Sequence, residues 1–97
     1  ATFSVSTDLN PININILKKV GDFHIVAGAF RVKKNSERKL RELKRLGFDA
    51  RLIGQNRYGL HQVVFESYNT RKDAENALTK IKKTQDKTAW LLFKEIL

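Results

Sequence analysis

Few residues of this chain could do acid–base or ligand chemistry. There is no Cys, so neither a thiolate metal site nor a disulfide framework is possible. His24 and His61 are the two histidines, and neither sits at metal-ligand spacing with carboxylates. The alternation of strand side chains puts them on opposite faces of neighbouring predicted strands, so they do not form a pair. Each reads as a packed or solvated strand histidine. No nucleophile–base pair, no paired carboxylates in one predicted cleft and no phosphate-cradling loop is present. The residues therefore argue for a binding module rather than an enzyme, and they imply no cofactor and no metal.

Charge is the second marked feature. The net charge is +9, and from Arg31 to Arg57 ten Lys or Arg face three acids. Such a run attracts nucleic acid, anionic lipid or an acidic wall polymer, or it is simply a solvated helix face. The length of 97 residues suits one domain, and 41% apolar with 30% charged residues is a globular composition. No apolar run approaches the ~20 residues of a transmembrane helix. No signal peptide is visible, and the start at Ala1 reads as that of an excised fragment. Membrane attachment is thus expected only through a segment not present here.

These groups must be positioned by regular elements. Residues 1–22 read as an N-terminal extension, in which Ile12, Ile14 and Ile16 alternate with Asn13 and Asn15. Residues 23–97 read as the domain. Phe23–Phe30 is apolar and β-compatible. Asn35 or Ser36 is expected to cap a helix ending at Leu46, with Leu40, Leu43 and Leu46 buried and Gly47 as its stop. Phe48–Ile53 alternates as a second strand, residues 54–59 form a hairpin loop, and Leu60–Glu66 is a third strand. Thr70 followed by Asp73 starts a second helix, along which Ala74, Ala77, Leu78 and Ile81 follow helical spacing. Ala89–Lys94 is the last strand.

A shift of 38 residues lays Val26 on Val64, Lys34 on Lys72, Glu37 on Glu75, Leu40 on Leu78, Leu43 on Ile81 and Lys44 on Lys82. Two strand-plus-helix units paired in this way predict an α+β fold. It is the βαββαβ ferredoxin-like, RNP-like sandwich: a four-stranded antiparallel sheet, order 4-1-3-2, with both helices on one face. Alternation then assigns Ile25, Ala27, Ala50, Leu52, Val63, Phe65, Leu91 and Phe93 to the helices, with Phe30 joining them if Gly28 marks a bulge. The other face is expected to be open. It would carry His24, Val26, Gly28, Arg51, Ile53, Gln62, Val64, Glu66, Trp90 and Leu92. Val26, Val64, Trp90 and Leu92 would form an apolar patch of the kind that marks binding sites. The competing occupant of that patch is the isoleucine segment of residues 1–22 folded back over it.

The sequence resembles the SPOR (sporulation-related repeat) family from about Phe23 to Lys94, in a Bacteroidetes-like version. The segment from Phe23 to Phe30 is similar to the family's opening strand, which ends in Gly-Ser-Phe. His61 to Tyr68, followed by Arg71-Lys72-Asp73-Ala74-Glu75, looks like its third strand and acidic helix start. Ala89-Trp90-Leu91-Leu92 resembles its last strand. The resemblance implies a cell-envelope or periplasmic module that binds peptidoglycan glycan strands denuded of stem peptides, enriched at division septa. Cell-division or envelope proteins are further implied partners. The ligand would lie on the open sheet face, at His24, Val26, Gly28, Ala29, Ile53, Gln62, Val64, Trp90 and Leu92. Three positions depart from the family: Val26 stands where Gln is frequent, Ala29 where Ser is, and Gln62 where Arg is. A charged hydrogen bond contributes about 1.5–3 kcal/mol against about 0.5–1.5 for a neutral one, so these departures weaken the polar side of a sugar site.

Two rivals share the fold. One is a protein-interaction module that has lost sugar binding, which the three departures favour. The other is an RNA-binding domain of RRM type, which stacks bases on aromatic residues of its first and third strands. Here His24, Val26, Gln62, Val64 and Glu66 supply no Phe, Tyr or Trp at those positions. Trp90 alone is a weak platform, so nucleic acid is disfavoured as a partner.

Overall fold

The computed structural model describes residues 21–95. Its elements run β1 (Phe23–Phe30), α1 (Lys33–Arg45), β2 (Arg51–Gln55), β3 (His61–Tyr68), α2 (Arg71–Thr84) and β4 (Trp90–Phe93). The four strands form one antiparallel sheet of order β2-β3-β1-β4. This is the expected α+β architecture, with the expected strand order. The repeat is visible in the elements: β3 starts at 61 against 23 for β1, and α2 at 71 against 33 for α1, each 38 residues on. The isoleucine pattern of Ile12, Ile14 and Ile16 lies outside the described residues.

Local chemistry explains most of the boundaries. Thr70 caps α2, its Oγ1 accepting from the Asp73 backbone N–H at 3.2 Å. At the other end of α1, Gly47 adopts φ +99°. Gly47 N–H donates to Lys44 O and Phe48 N–H to Leu43 O, the pair of bonds that closes a Schellman motif. The start of α1 differs from expectation. Val32 is its N-cap without any side-chain bond, and Ser36 is instead buried, donating its hydroxyl to Lys33 O at 2.5 Å. Leu46, expected inside, is the C-cap and is 58% exposed, because the helix ends before another turn can carry it back to the sheet. Between β2 and β3, Asn56 Oδ1 accepts from the backbone N–H groups of Tyr58 and Leu60 and so shapes the hairpin loop.

Both helices pack on one face. Ile25, Val63, Phe65 and Ala50 of the sheet side meet Leu43 of α1, Ile81 of α2 and Ala89, with Leu40, Leu78 and Phe30 around them. The Phe48 ring stands edge-on to Phe65 with centroids 5.0 Å apart, which explains why Phe48 packs as a core residue ahead of β2 rather than pairing within it. Two irregularities break the β1–β3 ladder, one between Ile25 and Val26 and one between Val26 and Gly28. Phe65 and Ala27 are the residues left without a cross-strand partner. Each irregularity resets the alternation. Glu66 therefore stands opposite Ile25 on the helix side, and Gly28 opposite Val63, where the Phe30 ring lies 3.1 Å from the position a Cβ would take. Both were expected on the other face, and the bulges correct that assignment.

Tyr68, beside this core, donates its hydroxyl to the Glu66 carboxylate. Burial first, then that bond and the charge of Glu66, hold the Tyr68 phenol well above the ordinary tyrosine range. The folded state thus keeps the proton more tightly than the unfolded chain. The stabilisation is fully present below about pH 10 and is lost as pH rises through the folded value. Tyr68→Phe is expected to flatten the fall of unfolding midpoint with pH on the alkaline side, read by urea unfolding monitored by circular dichroism. For the core, Leu43→Ala is expected to cost about 2–5 kcal/mol and Thr70→Ala about 1 kcal/mol in the same assay. A Thr70→Ala loss equal to that of Leu43→Ala would contradict the packing described here.

Candidate functional site

The face of the sheet turned away from the helices brings the expected residues together. His24, Val26 and Ala29 of β1 lie beside Gln62 and Val64 of β3, with Ile53 of β2 on one flank and Trp90 and Leu92 of β4 on the other. Gly28 is the exception, having turned toward the helices. Val26 is the hub. It pairs with Val64 on one side and Trp90 on the other.

The face is not open, which corrects the expectation of an exposed apolar patch. Val26 and Val64 have no solvent exposure, and Ile53 has 8%. With Leu92 they form a second hydrophobic cluster, separate from the one beneath the helices. Only Trp90, 45% exposed, shows a large apolar surface there, next to half-buried Leu92 and Ala29.

The polar groups on this face are all tied down. His24 is fully buried. Its Nε2 lies 2.9 Å from Lys94 O, and its Nδ1 2.6 Å from Ser67 Oγ. A carbonyl can only accept, so the Nε2 hydrogen is donated to Lys94 O, and in the neutral ring Nδ1 accepts from the Ser67 hydroxyl. Both nitrogens are thereby used, and the ring anchors the chain after β4 to the sheet rather than presenting a base. His61, opposite Phe30, belongs to the helix side. Among the described residues no group of three His, Asp or Glu could hold a metal ion.

Lys94 is the residue the sequence reading passed over. Its Nζ donates to Ile53 O at 2.9 Å, and lies 3.5 Å from Gln55 O and 3.4 Å from Gln62 Oε1. All three acceptors are neutral. One ammonium thus ties the end of β4 to β2 and β3 and brings a positive charge against the Gln62 amide. The signal was present: Lys94 follows Leu92 by two residues, the strand period. Ser67 was hidden for another reason, since the bulge at Phe65 shifts its phase.

Other concavities lie elsewhere. One cleft of about 280 Å³ runs between α2 and β3, lined by Glu66, Tyr68, Lys80 and Gln85 among others. Its carboxylate is already engaged by the Tyr68 hydroxyl. The basic residues Lys33, Lys34, Arg38, Arg41, Lys44 and Arg45 are all exposed on α1, behind the sheet.

Comparison with known protein families matches the SPOR domain over residues 19–92. Comparison with curated proteins and with solved structures finds no match. The family match spans all four strands and both helices apart from the last residue of β4. The chain belongs to the SPOR domain family, whose members are peptidoglycan-binding modules of the cell envelope.

Proposed function

We propose that this chain binds peptidoglycan glycan strands that have lost their stem peptides, and that it does so on the sheet face turned away from the helices. In that role it brings a larger protein to the cell wall at the division septum. The observation that carries the reading is the composition of that face within a SPOR domain. Trp90 and Leu92 offer apolar surface to the faces of sugar rings, and the same sheet face carries the Gln62 amide with the Lys94 ammonium against it. Polysaccharides need this mixture, because their rings are apolar on the faces and polar at the rim. Lys94 also bears on the departure at Gln62, since it brings a cation to the third strand from the end of the fourth.

The basic surface of α1 lies on the opposite side of the sheet from this face. Its role in this reading is to draw the domain toward an anionic envelope polymer, over a distance set by a Debye length of about 10 Å at 0.1 M salt. Cell-division and envelope proteins are the further partners that a septal location would supply.

The deciding experiment is retention on purified sacculi before and after digestion with an amidase that strips stem peptides. Retention is expected to rise after digestion. Absence of retention on either material would favour a protein-interaction module instead. Lys94→Met keeps most of the side-chain stem and removes the ammonium. It is expected to lower retention on digested sacculi roughly ten-fold, the equivalent of about 1.4 kcal/mol for a charged hydrogen bond. Lys87→Met, on the exposed loop before β4, is the matched control and should leave retention unchanged.

A further inference from the structure

The outer side of α1 carries more unbalanced charge than a solvated helix needs. Along Lys33–Arg45 seven Lys or Arg stand against two Glu. Four of the seven form one row. Lys34, Arg38, Arg41 and Arg45 follow steps of four, three and four residues, which keeps them within a strip about 60° wide. The strip lies opposite buried Ser36 and Leu43, so it faces away from the sheet. All four residues are exposed. None belongs to the ion pairs found among the described residues, which are Lys39–Glu42, Arg51–Asp49 and Arg71–Glu75.

This row works against the helix that bears it. Like charges three or four residues apart on a helix repel. The first turn of α1 has no acid, although the dipole is positive there and Lys33 and Lys34 occupy it. The sister helix shows that the fold does not require such a row. Thirty-eight residues on, the same four positions of α2 hold Lys72, Asn76, Thr79 and Lys83, and its first turn contains Asp73. α2 packs on the same sheet face with half the cations.

We propose that Lys34, Arg38, Arg41 and Arg45 are a binding site for a linear phosphodiester polymer without bases, one phosphate lying on each cation. The row is about 16 Å long, with steps of about 6, 4.5 and 6 Å. Arginine forks match phosphate oxygens in pairs. A flexible phosphodiester chain can follow the uneven steps, whereas a stiff chain of ring sugars with one carboxylate per ring cannot. A flat anionic surface would also press on exposed Glu42 and half-buried Glu37, which flank the row on its two sides. Within α1 no large apolar side chain is exposed to enter a bilayer. Nor does α1 contain an aromatic residue on which a base could stack. The site turns the steering role given to α1 above into saturable binding, and it stands whether or not glycan binds on the sheet. With both sites filled, the domain ties two polymers together from its opposite sides.

The probe is synthetic poly(glycerol phosphate), titrated into the full chain over a range of salt concentrations. Saturable binding is expected. Arg38→Gln with Arg41→Gln should weaken it at least ten-fold at about 0.1 M salt and flatten the plot of log K against log salt by about 0.7 per cation removed. Lys82→Gln with Lys83→Gln removes the same charge from exposed positions of α2 and should leave both quantities nearly unchanged. Equal losses in the two variants overturn the site, because net charge alone would then set the affinity. The Arg38→Gln, Arg41→Gln chain should unfold at a temperature at or above that of the parent, which separates lost binding from lost folding. A lower midpoint overturns the repulsion on which the assignment rests. Polygalacturonate, oligothymidylate and vesicles of phosphatidylglycerol with phosphatidylcholine are compared at matched charge. Tighter binding to any of these through Arg38 and Arg41 overturns the base-free phosphodiester as the occupant. On amidase-treated sacculi freed of phosphodiester polymers, the Arg38→Gln, Arg41→Gln chain should be retained like the parent. A loss there makes the row part of the glycan site and overturns its independence. Absence of retention for both proteins, with the titration as expected, overturns the glycan reading and leaves the row standing.

Discussion

The antiparallel pairing of β1 with β3 is the contact on which the other layers depend. These are the two central strands, and each carries one half of the 38-residue repeat. Pairing them brings together two amphipathic units that could not bury their apolar faces separately. The two irregularities around Val26 then fix which side chain goes where. Phe65 and Ala27 are the supernumerary residues. With them in place, Val63, Phe65 and Tyr68 of β3 all contribute to the cluster under the helices, while Val64 stays opposite Val26 on the far side. Uniform alternation could not give β3 that distribution.

This explains what was legible in the sequence. The order of elements, the strand order and the pairing of the two halves follow from hydrophobic periodicity, from Gly47 and from Thr70 with Asp73, all of which act locally. Both helices were placed to within a few residues for the same reason. Gly28 and Glu66 were put on the wrong face because a bulge changes the phase of a strand without a strong mark of its own in composition. Leu46 fitted the helical stripe but falls at the cap, where the helix has already turned away. Membership of the candidate face was otherwise readable from period-two alternation. Its closure was not, since burial depends on what lies above a residue as well as on the residue. Lys94 was missed because its role arises from three neutral acceptors on two other strands, distant in sequence.

The domain separates its two kinds of surface. Long-range charge sits on α1, where every Lys and Arg but the partly buried, Glu42-paired Lys39 is exposed to solvent. The short-range, shape-dependent surface sits on the sheet, where His24, Gln62 and Lys94 are held by hydrogen bonds. Such a division lets attraction toward an anionic wall change without disturbing the groups that would read a sugar. It also places the fixed groups on strands, whose backbones hold them in register better than loops would.

Trp90 is the sole tryptophan of the chain, and it lies beside Val26 on the second face with nearly half its surface in water. An indole so placed is an intrinsic optical gauge. Its emission depends on the polarity immediately around it, and no second indole contributes a background. Whatever settles on this face, whether sugar, protein or the chain itself, alters the surroundings of that one ring. Occupancy of the face can therefore be followed in the unlabelled native protein through the wavelength and quenching of a single chromophore.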